Sequence, residues 1–291
     1  MKAIEMKKWA GRVGIASAFA LGTLLGSGAA LAGIANTKHN LSTGSAQTTK
    51  VTAGTDEICV FCHTPHAADT TAPVPLWNKR LSTGATYTTY ASLNSSTIDG
   101  QILAVGSISL ACLSCHDGTQ AMDNIINAPG SGGYDATGGG TNGLAYTWTG
   151  NATAVGLMNN TLTTIGPDLT NDHPIGIRYC GGGQNSTTPA GACTDADFKG
   201  PGTGLQSATI NSNLVWWVDT AGGTANRDRT DMILYTRTFT AGTNPGSGPS
   251  VECGSCHDPH VESGTGTPAA GATFLRISNA GSAVCLACHV K

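Results

Sequence analysis

The sequence predicts a fold of mostly irregular loops with short helices and one minor β-hairpin, built around groups that the side chains alone do not supply. Three observations predict it. Among 291 residues there are only 5 Trp, 6 Tyr and 5 Phe, and charged residues make up 11%, so a large apolar core has few bulky side chains to draw on. The 40 Gly and 12 Pro favour turns, yet fall short of the share that marks low-complexity disorder, so the chain is expected to fold. Against this background stand 10 Cys and 8 His, most of them at one repeated spacing.

Residues 1–12 carry Lys2, Lys7, Lys8 and Arg12 against Glu5, and 13–32 carry no charge. This is the pattern of a secretory signal peptide, with Ala30-Leu31-Ala32 as the cleavage site and Gly33 as the mature start. No Cys follows the cut, which argues against a lipid anchor. A retained N-terminal membrane helix is the alternative, because the apolar stretch is long enough to span a bilayer. No other stretch is, so no membrane span is expected after cleavage. The mature chain is expected outside the cell or at its surface, with the periplasm as the alternative. A formal net charge of −3 argues against a nucleic-acid partner.

Eight cysteines form four C-x-x-C pairs, Cys59/Cys62, Cys112/Cys115, Cys253/Cys256 and Cys285/Cys288, each followed at once by a histidine: His63, His116, His257 and His289. C-x-x-C-H is the attachment signature of c-type haem, in which both thiols bond to the porphyrin and the imidazole takes an axial iron position. On a helical turn the two cysteines reach neighbouring edges of the macrocycle and the next residue lies over its face. Zinc is the rival, since paired C-x-x-C motifs also build tetrahedral sites. Zinc chemistry does not call for His after every second Cys, and an exported chain favours haem. Four covalently bound haem c groups are therefore expected, and the fold class becomes that of a multihaem cytochrome c, with haem-bearing helices and the haems forming the core.

Four histidines remain, His39, His66, His173 and His260, matching the four second axial positions. His66 and His260 recur in Cys62-His63-Thr64-Pro65-His66 and Cys256-His257-Asp258-Pro259-His260. Three residues cannot travel round a macrocycle, so each must serve a haem other than that of its own motif, or none. Chain order suggests pairing His63 with His39, His116 with His66, His257 with His173, and His289 with His260. A variant has His39 reaching the haem of an adjacent subunit.

Cys180 and Cys193 are left over. In an oxidising compartment they are expected to form a disulfide closing a loop of about 14 residues, worth roughly 3 kcal/mol; two free thiols are the alternative. The motifs define one tetrahaem domain, 33–291, made of a haem-pair module at 33–127, a Gly/Thr/Asn-rich insertion at 128–250 and a second haem-pair module at 251–291. Ser109 and Ser282 are candidate N-caps for haem-bearing helices. The insertion should be mostly irregular, except for a hairpin formed by 214–219 and 232–239. Trp216 and Trp217 are expected to be buried in it, with packing on a porphyrin as the alternative.

Filling both axial positions with imidazole leaves no site for a small substrate, so the expectation is an electron carrier and not an enzyme. The duplicated C-x-x-C-H-x-P-H units, Phe274-Leu275-Arg276 leading to Cys285-Leu286-Ala287-Cys288-His289, and Asp172-His173-Pro174 resemble the doubled C-x-x-C-H cytochromes, and more closely the extracellular tetrahaem c-type cytochromes of the OmcE-like nanowire family. The resemblance implies copies of the chain stacked head to tail into a filament with a continuous haem chain, exchanging electrons with redox partners in the periplasm or outside the cell. A soluble tetrahaem shuttle is the second reading and a multihaem reductase the third. The reductase would need a haem lacking its second ligand or a Lys in place of a motif His, and every motif ends in His.

Overall fold

A computed structural model describes residues 33–81, 86–130, 133–135, 143–222, 226–260 and 274–290. The chain divides between Ala32 and Gly33; the expected signal peptide, 1–32, lies outside the described residues, and all that follows concerns the second unit.

Turns, bends and isolated bridges make up most of it. The regular elements are strands β1 (Lys50–Ala53), β2 (Thr147–Thr149), β3 (Ile177–Arg178), β4 (Leu205–Ile210), β5 (Asn213–Val218), β6 (Met232–Phe239) and β7 (Gly246–Val251), with helices α1 (Ser107–His116), α2 (Cys253–Cys256) and α3 (Ala283–Cys288). β1 and β2 pair antiparallel, which ties the 128–250 stretch to the first module. The other strands form one antiparallel sheet in the order β3-β7-β6-β5-β4.

The expected hairpin is present as the β5/β6 pairing, with Trp216 opposite Leu234 and Val218 opposite Met232. The expectation of a minor hairpin in an otherwise irregular insertion is corrected, because β4 and β7 flank it and β3 pairs with β7 to make five strands. β4 joins β5 through Asn211 and Ser212, both at positive φ, the backbone of a two-residue hairpin turn. β7, Gly-Ser-Gly-Pro-Ser-Val, consists mainly of residues that strands disfavour. It is held by cross-strand pairing with β6 from Tyr235 opposite Ser250 to Phe239 opposite Gly246.

Buried apolar residues form three small clusters instead of one core, and each takes in a motif cysteine. Trp216, Val218, Met232, Leu234, Tyr179 and Val251 pack with Cys256 and Cys288. Val51, Val60, Phe61 and Ile125 pack with Cys62, which also adjoins Ala72, Trp77 and Ala111. Trp216 and Trp217 are both buried. Cys180 and Cys193 form a disulfide with a Cα–Cα distance of 5.4 Å. Inside its loop a Cβ at Gly183 would collide with the Ala192 carbonyl, and the φ of +109° there suits glycine. Among the described residues no helix is long and apolar enough to cross a membrane.

Candidate cofactor-attachment sites

All four C-x-x-C-H segments wind into a helical turn. The backbone N–H of His63 donates to the Cys59 carbonyl at 2.8 Å, His257 to Cys253 at 3.1 Å and His289 to Cys285 at 2.9 Å; Cys112–His116 is the last turn of α1. The i to i+4 bond puts two thiols three residues apart with the imidazole beside them. The serines expected to cap these helices do not cap them. Ser109 lies within α1, whose cap position is Gly106, and Ser282 stands at the start of α3 at φ 62° with no side-chain cap bond. α2 is capped by Glu252 instead, in a capping box with Ser255.

Three motif histidines share a backbone clamp. Thr64 N–H donates to the Leu76 carbonyl and Asn78 N–H to that of Cys62, both at 2.8 Å, bracketing a bridge between His63 and Trp77. Asp258 bonds to Phe274 and Arg276 to Cys256 in the same way around His257 and Leu275, each at 2.8 Å. Around His289 and Phe198 the bonds run from Val290 to Asp197 and from Lys199 to Cys288, at 2.7 and 2.8 Å. Leu76 and Phe274, the matching acceptors of the first two clamps, are both at positive φ, 56° and 64°. In the remaining motif the His116 carbonyl accepts Ile165 N–H at 2.7 Å.

The imidazoles are oriented by their Nδ1 atoms. His63 Nδ1 bonds to the Pro75 carbonyl at 2.8 Å, His116 to Thr163 at 2.8 Å, His39 to Pro259 at 3.0 Å and His173 to Pro174 at 3.0 Å. A carbonyl only accepts, so Nδ1 carries the proton and Nε2 keeps its lone pair, the tautomer a metal ligand needs. His260 Nδ1 bonds to the Asp258 carboxylate at 3.1 Å. Burial holds the His116 pKa below the ordinary value, which keeps the ring neutral. The hydrogen bond to Asp258 raises that of His260, and the same bond lowers Asp258 to about 2.

Two pairs of these rings adjoin each other, one edge-on and one parallel. His39 and His116 have ring centroids 6.2 Å apart at 72°, and His63 and His260 have theirs 6.1 Å apart at 11°. Chain order suggests different partners, His63 with His39 and His289 with His260. The N-terminal arm crosses to the tail of the third motif, where the His39 ring stacks on Phe274 at 4.1 Å, so neighbours in sequence are not neighbours in space. His66 and His173 are exposed, the His66 carbonyl accepting Asn127 Nδ2 at 2.8 Å. His289 packs against Phe198 at 4.3 Å, and His257 lies on its bridge with Leu275.

The thiols follow one another in chain order. Burial raises Cys62 to about 12, with Cys115 near enough to add to the shift. A hydrogen bond with Cys253, together with burial, holds Cys112 well above the ordinary thiol value. Cys256 is raised to about 11, by burial first and by Cys253 and Cys285; Cys288 is raised to about 12, by burial first and by Cys256. These three partly buried thiols and Cys112 favour neutral sulfur, the opposite of the electropositive surroundings of a reactive thiolate, while the hydrogen bond with Cys112 lowers Cys253.

The surroundings fit a large apolar group with polar edges. Trp77 Nε1 is buried without a protein partner, and its ring lies 6.2 Å from that of His63. Exposed apolar side chains gather beside the motifs: Leu76 and Ile165, which bond to the motif backbones, and Leu286 and Val290 around His289. Among the described residues no three His, Cys, Asp or Glu side chains converge to hold a bare ion. Sequence reasoning missed Trp77, Phe198 and the clamps; the one available signal was the recurrence of Leu76-Trp77-Asn78 as Phe274-Leu275-Arg276 after the two C-x-x-C-H-x-P-H units. Comparison with protein families, curated proteins and solved structures finds no match to this chain.

Proposed function

We propose that the chain is an exported four-haem c-type cytochrome that carries electrons and has no catalytic site. The observation that carries the proposal is the pairing of pre-oriented imidazoles across C-x-x-C-H turns. Two imidazoles on opposite sides of one metal, each at a metal–nitrogen distance of roughly 2 Å, have ring centres about 6 Å apart, and both observed pairs have that separation. Ring–ring contact alone covers the same range, but it does not require the Nδ1 donors to be committed to carbonyl or carboxylate oxygens on all four rings. A tetrahedral zinc site draws all its donors from side chains, whereas imidazole pairs at this separation suit a group that brings further nitrogens of its own.

In this reading Cys59/Cys62, Cys112/Cys115, Cys253/Cys256 and Cys285/Cys288 supply the thioether sulfurs. His63 with His260, and His116 with His39, would hold two of the haems; His257 and His289 would each hold one of the others, with His66 and His173 as the remaining donors. Haem supplies a reversible one-electron couple when bound. The chain's own work is to fix ligand tautomers and set the four sites in one row, motif next to motif. The resemblance to nanowire cytochromes extends the proposal to copies of the chain stacked head to tail outside the cell.

Expression with a c-type haem maturation system tests the core of the proposal. The expected product is red, carries four covalent haems by mass, loses one haem with each C-x-x-C pair changed to Ser, and shows low-spin spectra. A colourless product, or one that binds zinc stoichiometrically in place of haem, would refute it. Electron cryo-microscopy of the secreted material tests the polymer: filaments are expected, and monomers would leave a soluble shuttle.

A further inference from the structure

The duplicated units Cys62-His63-Thr64-Pro65-His66 and Cys256-His257-Asp258-Pro259-His260 differ between their two histidines at one position, Thr64 against Asp258. Thr64 turns its hydroxyl to the His66 carbonyl, donating at 3.1 Å. Asp258 Oδ1 instead accepts both the His260 backbone N–H at 3.0 Å and the His260 ring Nδ1 at 3.1 Å. The His260 ring in turn faces His63 of the first motif.

We infer that Asp258 lowers the reduction potential of the haem tethered at Cys59 and Cys62 below that of the haem tethered at Cys112 and Cys115. The inference rests on the haem reading above. The reason is chemical. A ring N–H that donates to a carboxylate shares its proton more fully than one donating to an amide carbonyl, which makes the opposite nitrogen a stronger donor to its metal. Stronger donation, together with the fixed negative charge, favours the ferric state, which carries one more positive charge than the ferrous state. At the neighbouring site both rings, His39 and His116, donate to neutral carbonyls, those of Pro259 and Thr163. At the first site His63 donates to the Pro75 carbonyl; Asp117 acts on His116 through space, its oxygens taken by Tyr87 and Thr119, so Asp258 is the one carboxylate hydrogen-bonded to a ring of these two pairs.

Arg276 opposes the effect, since its charge acts on both Asp258 and His260. It does so from a distance: its Nε and Nη1 donate to the carbonyls of Gly254 and Arg229 at 3.0 and 3.1 Å, while Asp258 touches the ligand directly. The two sites are also structurally joined, because the carbonyl that orients His39 belongs to Pro259, the residue before His260. A potential step is thus built between consecutive positions of the row. An electron placed on the first site passes to the second more readily than it returns.

The test is potentiometric titration of the holoprotein, followed by the low-spin ferric signals in electron paramagnetic resonance. Asp258→Asn keeps an oxygen acceptor for the His260 N–H and removes the charge; Asp258→Thr installs the residue of the other repeat. His260→Ala, which converts its own site to high spin, identifies the component to watch. Both Asp258 variants are expected to raise that component by about tenfold in its ferrous-to-ferric ratio, about 59 mV for one electron, and to leave the His39/His116 component in place. Four haems with an unmoved component, a shift in a different component, or an equal shift in all four would overturn the inference while leaving the haem reading intact. A wild-type chain without covalent haem would end both.

Discussion

Ser109 Oγ lies 2.5 Å from Glu252 Oε2 and joins the helix that ends in Cys112–His116 to the turn that carries Cys253–His257. Both residues are buried, and the same hydroxyl accepts the Cys253 N–H at 3.0 Å. Glu252 also takes Arg237 Nη1 at 2.9 Å and Ser250 Oγ at 3.0 Å. Second and third motifs are therefore registered through one polar node. Removing a single hydroxyl would leave a buried carboxylate and a backbone N–H each short of a partner. Ser109→Ala is expected to cost about 1–3 kcal/mol in denaturant unfolding of the holoprotein. A loss below about 0.5 kcal/mol would show that the node is not what fixes the two motifs together.

The same node gives a pH dependence with a definite sign. Burial raises the Glu252 pKa above its ordinary 4.5, against the opposing effect of Ser109, Arg237 and Ser250. A carboxyl with a raised folded pKa binds its proton more tightly when folded, so its contribution to stability grows as pH falls through that pKa and levels off below about 4.5. Relative to Glu252→Gln, which cannot titrate, the wild-type melting temperature should gain as pH drops from neutral toward 4.5. Parallel curves for the two proteins would contradict this.

The cysteine and histidine spacing made the C-x-x-C-H turns legible, because residues three and four apart fall on one side of a helical turn. The Cys180–Cys193 disulfide was legible by elimination. The partners of the turns were not. The clamps around His63, His257 and His289 are backbone hydrogen bonds and leave no mark on side-chain identity. β7 was invisible because Gly246-Ser247-Gly248-Pro249 reads as a loop until β6 pairs with it. Ser109 resembled a cap because a serine ahead of an apolar run usually is one; its true partner, Glu252, is 143 residues away.

Gly254, the first x of Cys253-Gly254-Ser255-Cys256, faces the Tyr235 hydroxyl so closely that a Cβ there would collide with Oη and lie about 3.0 Å from Cζ. The tyrosine ring is rigid and Tyr235 is partly buried in β6, so neither side can yield freely. Gly254→Ala is expected to destabilise the holoprotein by about 1–3 kcal/mol. Tyr235→Phe, introduced into the same chain, should recover most of that loss by removing the colliding oxygen. Equal loss in the single and double variants would mean that the penalty comes from elsewhere in the turn.

The juxtaposition of His39 and His116 makes the ligand assignment testable against the order in which the residues occur. If the two share one iron, His39→Ala opens a single axial position, at the site tethered by Cys112 and Cys115. Ferrous wild-type protein is expected to bind little carbon monoxide, and His39→Ala to bind it at one site in four, read from the Soret difference spectrum. The decisive variant adds Cys112→Ser and Cys115→Ser to His39→Ala: with that haem gone, the new binding should vanish. Binding that survives there but disappears when Cys59 and Cys62 are changed instead would restore the pairing of His39 with His63. The same logic applies to His260, whose removal should open the Cys59/Cys62 site and no other, because its ring lies parallel to that of His63 with centroids 6.1 Å apart.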